Sequence, residues 1–236
     1  SQKALFHPHL IPDQKILRCN HPCQNLCLPQ TAVLFYMHSG EEYLRRNYPT
    51  HLLCEKLPRF LRGCPVYQFD LDNHFCFLDG GRGAPQAVDT LETLAALGVK
   101  TIVTVGAFGE NVNSGDIIIP NKAFVEEGTS LHYYDSIEYS VPSPSLYQLA
   151  VKEITSAKSF PIVSTDAVYR QTFLKEQLWR EKGAVGVDME TSALFSWKFS
   201  WSRCCICPDC FGQTPTEGRR PCLGMDYDAG NPPSIF

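Results

Sequence analysis

Asp188-Met189-Glu190 places two carboxylates around a thioether where an apolar run ending at Val187 gives way to the amphipathic stretch Thr191 to Phe195. A carboxylate can accept hydrogen bonds from two neighbouring sugar hydroxyls, and a methionine can pack on the sugar's apolar face. The same acids also read as helix caps, because they meet free N–H groups and the positive end of the helix dipole. For Asp188 the cap is the favoured reading, with support of the site from behind as the alternative.

Two glycine-bearing turns could serve the same site. Asp79-Gly80-Gly81-Arg82-Gly83-Ala84-Pro85 precedes a helical pattern, and Val105-Gly106-Ala107-Phe108-Gly109 follows a β-branched run. Glycines there let backbone amides approach an anion or a sugar closely. Ordinary turn chemistry accounts for them equally well.

The elements that must position these turns alternate. Strands are predicted at Ala32 to Tyr36, Val66 to Phe69, Phe75 to Leu78, Thr101 to Val105, Ile117 to Ile119, Ile162 to Ser164 and Val185 to Val187. The Thr101 run is of the kind buried on both faces of a parallel sheet, and Pro120 is expected to close the Ile117 run. Helices are predicted at Glu41 to Arg46, Pro85 to Leu97, Pro144 to Lys158, Thr172 to Lys182 and onward from Met189. In the second of these, Ala84, Val88, Leu91, Leu94 and Ala95 make the apolar face, Asp89 and Glu92 point away, and Gly98 stops the helix. Such alternation predicts an α/β fold, a mixed central β-sheet flanked by helices on both faces, with ligands beyond the carboxyl ends of the strands.

Composition excludes several alternatives. The 236 residues, 44% hydrophobic, suffice for one sizeable core, and a net charge of -4 without a basic stripe argues against a nucleic-acid polymer as partner. With no apolar run of membrane-spanning length and no secretory signal pattern, a soluble, cytoplasmic protein without a membrane partner is expected. Eleven cysteines, clustered early (Cys19, Cys23, Cys27) and late (Cys204, Cys205, Cys207, Cys210), do not look like a disulfide framework. The chain divides into an irregular lead-in over residues 1–30, a patterned domain over 31–199, and an atypical tail over 200–236. His7, His9 and His21 in the lead-in read as solvated residues rather than ligands.

Six blocks then occur in order: Gly81-Arg82-Gly83-Ala84-Pro85; Ala96-Leu97-Gly98-Val99-Lys100 leading to Val105-Gly106-Ala107-Phe108-Gly109; Ser114-Gly115-Asp116-Ile117-Ile118-Ile119-Pro120; Glu127-Gly128-Thr129-Ser130-Leu131-His132-Tyr133; Ser164-Thr165-Asp166-Ala167-Val168-Tyr169-Arg170; and Val187-Asp188-Met189-Glu190. Together they resemble the nucleoside phosphorylase family of purine nucleoside and uridine phosphorylases. The resemblance implies cleavage of a base–ribose bond, with inorganic phosphate as co-substrate, no metal or organic cofactor, and assembly of dimers into hexamers. It implies that Glu190 holds the ribose hydroxyls and Met189 packs on the sugar. Gly81, Arg82, Gly83, Gly106 and Ala107 fall on the phosphate side, Val168 and Phe108 on the base side, and His132 near the substrate, where a structural histidine is the alternative.

The departures from the family pattern carry as much information. Where relatives have an arginine two residues before the phosphate turn's first glycine and a hydroxyl residue after it, this chain has Thr104 and Ala107. Losing a guanidinium should weaken phosphate binding, and Arg82 is the candidate substitute. Downstream, the family's strand ending in an acid that protonates the base has no counterpart. Asp209 is the nearest aspartate, between Pro208 and Cys210, and a loop role fits it better than general acid. Cys204, Cys207 and Cys210 have thiolate-ligand spacing but lack a matching second pair, so no metal site is assigned. Three functions remain open: a nucleoside phosphorylase with a lean towards purines, a nucleosidase using water, and a nucleoside-binding protein without turnover.

Overall fold

A computed structural model describes residues 26–37, 39–106, 112–113 and 115–197, and the backbone of two short strands at 5–6 and 234–235. In chain order the elements are β1 (Leu5–Phe6), β2 (Thr31–Phe35), α1 (Gly40–Asn47), β3 (Thr50–Cys54), β4 (Val66–Phe69), β5 (Asp72–Asp79), α2 (Ala84–Ala96), β6 (Thr101–Val105) and β7 (Ile118–Glu126). There follow β8 (Tyr134–Ser136), β9 (Tyr139–Ser140), α3 (Pro144–Glu153), β10 (Lys158–Thr165), α4 (Phe173–Glu181), β11 (Val187–Asp188), α5 (Thr191–Trp197) and β12 (Ser234–Ile235).

Among the described residues the strands form two mixed sheets. The larger has the order β12-β6-β2-β5-β4-β3, the smaller β11-β10-β7-β9, and β1 pairs with β8. In the larger sheet β6, β2 and β5 are parallel, with Phe35 opposite both Asp79 and Val105. In the smaller, β7, β10 and β11 are parallel, with Thr165 opposite Glu126 and Ser164 opposite Asp188. Parallel pairing brings the carboxyl ends of neighbouring strands together, so the chemistry-bearing turns of each sheet share one edge.

The sheets are tied by α2 and α5, which pack on each other and contribute a large share of the main core: Val88, Leu91 and Leu94 from α2, and Leu194, Phe195 and Trp197 from α5. Helix α2 begins beside Pro85, whose missing N–H costs nothing in the first turn, and ends before Gly98 at φ +89°. Its buried face is wider than the predicted stripe. Thr90 and Thr93 are also buried, each returning its hydroxyl to the carbonyl four residues earlier.

Several expectations change. Asp89 and Glu92 do not simply face solvent: Asp89 accepts the amides of Phe60 and Leu61 at 2.9 and 2.8 Å, and Glu92 accepts the Tyr133 hydroxyl at 2.6 Å. In β6 only Ile102 is buried and Val105 is exposed, so one face alone is well covered by described residues. Pro120 does not end its strand. β7 runs on to Glu126, and its antiparallel neighbour β9 pairs only at Ala123 and Phe124, so no ladder bond is demanded of the proline there. Helix α3 stops at Glu153, with Ala157 turning back onto Ile154, and Lys158 already begins β10.

Most of the 1–30 lead-in and of the 200–236 tail lies outside the described residues. The described cysteines Cys27, Cys54, Cys64 and Cys76 are free thiols, and burial pushes Cys64 and Cys76 up to about 12. Among the described residues no helix is long and apolar enough to cross a membrane.

Candidate nucleoside site

Glu190 lies one residue beyond the end of β11 and immediately before α5, and is only 6% exposed. The Gly83 amide donates to Oε1 at 2.6 Å and the Met189 amide to Oε2 at 3.2 Å. Each carboxylate oxygen thus keeps further acceptor capacity for a ligand hydroxyl. Burial and the neighbouring Asp188 carboxylate push the Glu190 carboxyl up to about 7, against the opposing pull of the two amides and of Arg82. Gly83 sits at φ +78°, ψ 156°, a conformation that side-chain-bearing residues rarely adopt. Met189 is close by: a Cβ built on Gly83 would stand 3.9 Å from its Cε.

Asp188 makes the helix-capping contacts. Its Oδ2 accepts from the Thr191 amide at 3.1 Å and from the Thr191 hydroxyl, and its Oδ1 accepts from Ser164 Oγ. Ser164 Oγ in turn accepts the Ser192 amide at 2.8 Å. Burial raises the Asp188 carboxyl, with these hydrogen bonds opposing it.

Behind the helix, buried Glu127 accepts the Ser130 amide at 3.0 Å, the Ser130 hydroxyl, and the Ser192 hydroxyl at 2.9 Å. Ser130 Oγ also reaches Ser196 Oγ at 3.1 Å. A carboxylate from the end of β7 therefore fixes the first turns of α5, and with them the origin of Glu190. The next residue along, Gly128, gives its amide to Asp166 at 2.7 Å, which latches the end of β7 to the end of β10.

Four consecutive amides of the first glycine turn are engaged within the chain. Gly80 donates to the Phe35 carbonyl at 2.9 Å, Gly81 to Asp79 Oδ1 at 2.6 Å, Arg82 to Gln86 Oε1 at 2.9 Å, and Gly83 to Glu190. Any contact from this turn to an anion falls to the Arg82 guanidinium, which also holds Asp79 Oδ1 at 3.0 Å and the Gly81 carbonyl. Beside the turn, Tyr36 lies against Gly80. A Cβ there would stand 2.4 Å from the ring's Cζ and 2.8 Å from its hydroxyl. Gly80→Ala is accordingly expected to cost about 1–3 kcal/mol in urea denaturation through overpacking. The loss should be non-additive with Tyr36→Ala, and additive costs would refute the contact.

The family model for the phosphorylase superfamily matches residues 43–197, which take in strands of both sheets, the glycine turn and Glu190. The chain belongs to the phosphorylase superfamily. Among relatives, it is 30% identical over 126 residues to guanosine phosphorylase of Halorubrum lacusprofundi, covering 49% of this chain and 51% of that one. It is 30% identical over 142 residues to uridine phosphorylase of Haemophilus influenzae, covering 49% and 54%. A crystal structure of uridine phosphorylase from Vibrio fischeri ES114, complexed with 6-hydroxy-1-naphthoic acid, matches with a TM-score of 0.61 at 25% identity over 75% of each chain. The mixed α/β fold is that of the nucleoside phosphorylases. The chain spans about half the length of the curated relatives it matches.

Within this superfamily fold the other residues singled out in the sequence fall at two strand edges. Gly106 directly follows β6, beside Tyr36, whose amide bonds the Val105 carbonyl at 2.8 Å. Val168 is exposed in a short 3-10 turn, Val168–Arg170, just beyond β10. His132 is exposed at the end of another, Thr129–His132, which packs on α5. Ala107, Phe108, Asp209 and the late cysteine cluster lie outside the described residues.

Two residues were not singled out from the sequence. From the sequence Tyr36 is only the end of a strand, although that end adjoins both glycine turns and ligands gather at such ends. Glu127 was only one letter of a resembling block. Its signal is weaker still, since nothing local distinguishes a buried acceptor from a surface acid.

Proposed function

We propose that the chain binds a nucleoside, with its ribose hydroxyls on Glu190 and the sugar's apolar face on Met189, and cleaves the N-glycosidic bond with inorganic phosphate. The observation that carries this reading is the doubly anchored Glu190 carboxylate, which is held in one orientation while retaining lone pairs for hydroxyls. Preorganisation of this kind matters because positive charge grows on the ribose ring as the bond to the base lengthens, and a fixed carboxylate both orients the sugar and offsets that charge. A phosphate oxygen forms the new bond to C1′, while the base departs with the electron pair of the broken bond and takes up a proton. No residue is assigned as the proton donor: Asp209 is the nearest aspartate downstream of Glu190, and a loop role fits it better.

The remaining roles are part of the same proposal. Gly81, Arg82, Gly83, Gly106 and Ala107 border the phosphate, Val168 and Phe108 the base, and His132 the substrate's rim. The relatives named above act on guanosine in one case and uridine in the other, and the purine preference is the reading adopted here for this chain. Assembly into dimers and hexamers follows from the same resemblance.

The engaged amides of the Gly80–Gly83 turn and the lack of an arginine at Thr104 favour a second reading, in which water replaces phosphate. Incubating the protein with inosine, adenosine and uridine, with and without phosphate, and following free base separates the two. Phosphate-dependent release supports phosphorolysis, phosphate-independent release supports hydrolysis, and binding without release leaves a binding protein. If phosphorolysis holds, Arg82→Ala is expected to raise the KM for phosphate about tenfold or more, the cost of one charge-assisted contact. An unchanged KM removes Arg82 from the phosphate site.

A further inference from the structure

Tyr36 immediately follows β2 at the edge of the same site. Its ring lies against Gly80 and its Cβ lies near Gly106, so it stands where the carboxyl ends of β2, β5 and β6 meet. Its hydroxyl is buried, yet it has no hydrogen-bond partner among the described residues. A buried hydroxyl without a partner is costly, and such groups in native proteins call for an explanation such as a ligand.

The charges acting on this hydroxyl narrow the choice of ligand. Glu190, Asp79 and Asp188 bring three carboxylates, opposed by the guanidinium of Arg59. Burial first, and then Glu190, hold the phenol well above its ordinary range, so it remains a neutral donor at physiological pH. A phosphate dianion would meet net negative charge at this point, whereas a neutral hydroxyl would not.

A sugar hydroxyl both donates and accepts, while a carboxylate only accepts. A ribose hydroxyl that donates to Glu190 still has oxygen lone pairs to satisfy. Glu190 takes the amide at one end of the Gly80–Gly83 turn, and Tyr36 packs on the other end. We infer that the Tyr36 hydroxyl donates to a ribose hydroxyl held by Glu190, making Tyr36 a determinant of selectivity for ribonucleosides over their deoxy counterparts. This rests on the Glu190 reading proposed above.

The test compares the wild type, Tyr36→Phe and Glu190→Gln by calorimetric titration with a ribonucleoside and its 2′-deoxy and 3′-deoxy analogues. Tyr36→Phe should weaken ribonucleoside binding about tenfold and leave unchanged the affinity for whichever analogue lacks the contacted hydroxyl. Its Tm without ligand should equal or exceed that of the wild type, because only an unsatisfied group is removed. Equal weakening for all three ligands, no weakening for any, or a marked fall in Tm overturns the assignment. If the wild type binds no nucleoside, or Glu190→Gln binds as well as the wild type, the Glu190 reading fails and the Tyr36 assignment falls with it. If Glu190→Gln loses binding while Tyr36→Phe keeps full discrimination, only the Tyr36 assignment is lost.

Discussion

Glu190→Ala is expected to lower nucleoside affinity by at least about 100-fold, measured by titration calorimetry. Hydrogen bonds to a charged group contribute about 1.5–3 kcal/mol each, and two ribose hydroxyls would lose theirs together. A loss smaller than about threefold would remove Glu190 from the sugar site.

The pH dependence supplies an independent check. The carboxyl is raised from 4.5 to about 7, so it accepts two hydroxyls fully only when ionised, and affinity should rise as pH passes through about 7. Stability without ligand runs the other way. A raised carboxyl means that the folded protein binds the proton more tightly than the unfolded chain. That advantage is present below about 4.5 and is lost as pH rises through about 7.

Above that range the displacement corresponds to about 3 kcal/mol of destabilisation. Glu190→Gln removes it while keeping an oxygen for one of the two amides, at a loss of about 1 kcal/mol for the other. The variant should therefore melt higher than the wild type at about pH 8, and the difference should shrink towards about pH 4.5. A site residue that destabilises the empty protein and becomes useful only with ligand is the expected mark of a preorganised polar group. A flat difference across that range would contradict the burial of this carboxylate.

Glu127→Ala should be among the most destabilising single substitutions in the domain, by about 3 kcal/mol or more in urea denaturation. Three donors converge on this buried carboxylate, and only the two serine hydroxyls can rotate to find other acceptors; the Ser130 amide cannot. Because Ser192 stands two residues beyond Glu190, releasing it should also loosen nucleoside binding in whatever fraction remains folded. Glu127→Gln, which keeps one acceptor, should fall between the wild type and the alanine variant. A loss below about 1 kcal/mol for alanine would mean that α5 is held by apolar packing alone.

Parts of the site were legible in the residues themselves. An apolar run broken by Asp188-Met189-Glu190 announces a strand that delivers carboxylates to a helix start, and the strand β11 followed by α5 matches it. Pro85 and Gly98 bracket α2 because one lacks an N–H the first turn does not need and the other takes a positive φ at the stop. Elsewhere a local signal stopped short of the true boundary. Pro120 read as a terminator, but a strand with a partly unpartnered edge tolerates a residue that cannot donate.

Sequence by itself determined the alternation of strands and helices, the place of the glycine turns, and the carboxylate at the junction, because each depends on neighbours within a turn or two. The partners of those groups were decided by tertiary structure. Gly83 and Glu190 are 107 positions apart, Glu127 and Ser192 are 65 apart, and Tyr36 meets Gly80 only because β2 and β5 pair in parallel. Whether an amide is free for an anion or already bound, and whether a hydroxyl is satisfied or waiting, depends on which strand ends converge. No local pattern encodes that convergence, since it is fixed by the register of the sheets and the packing of α2 on α5.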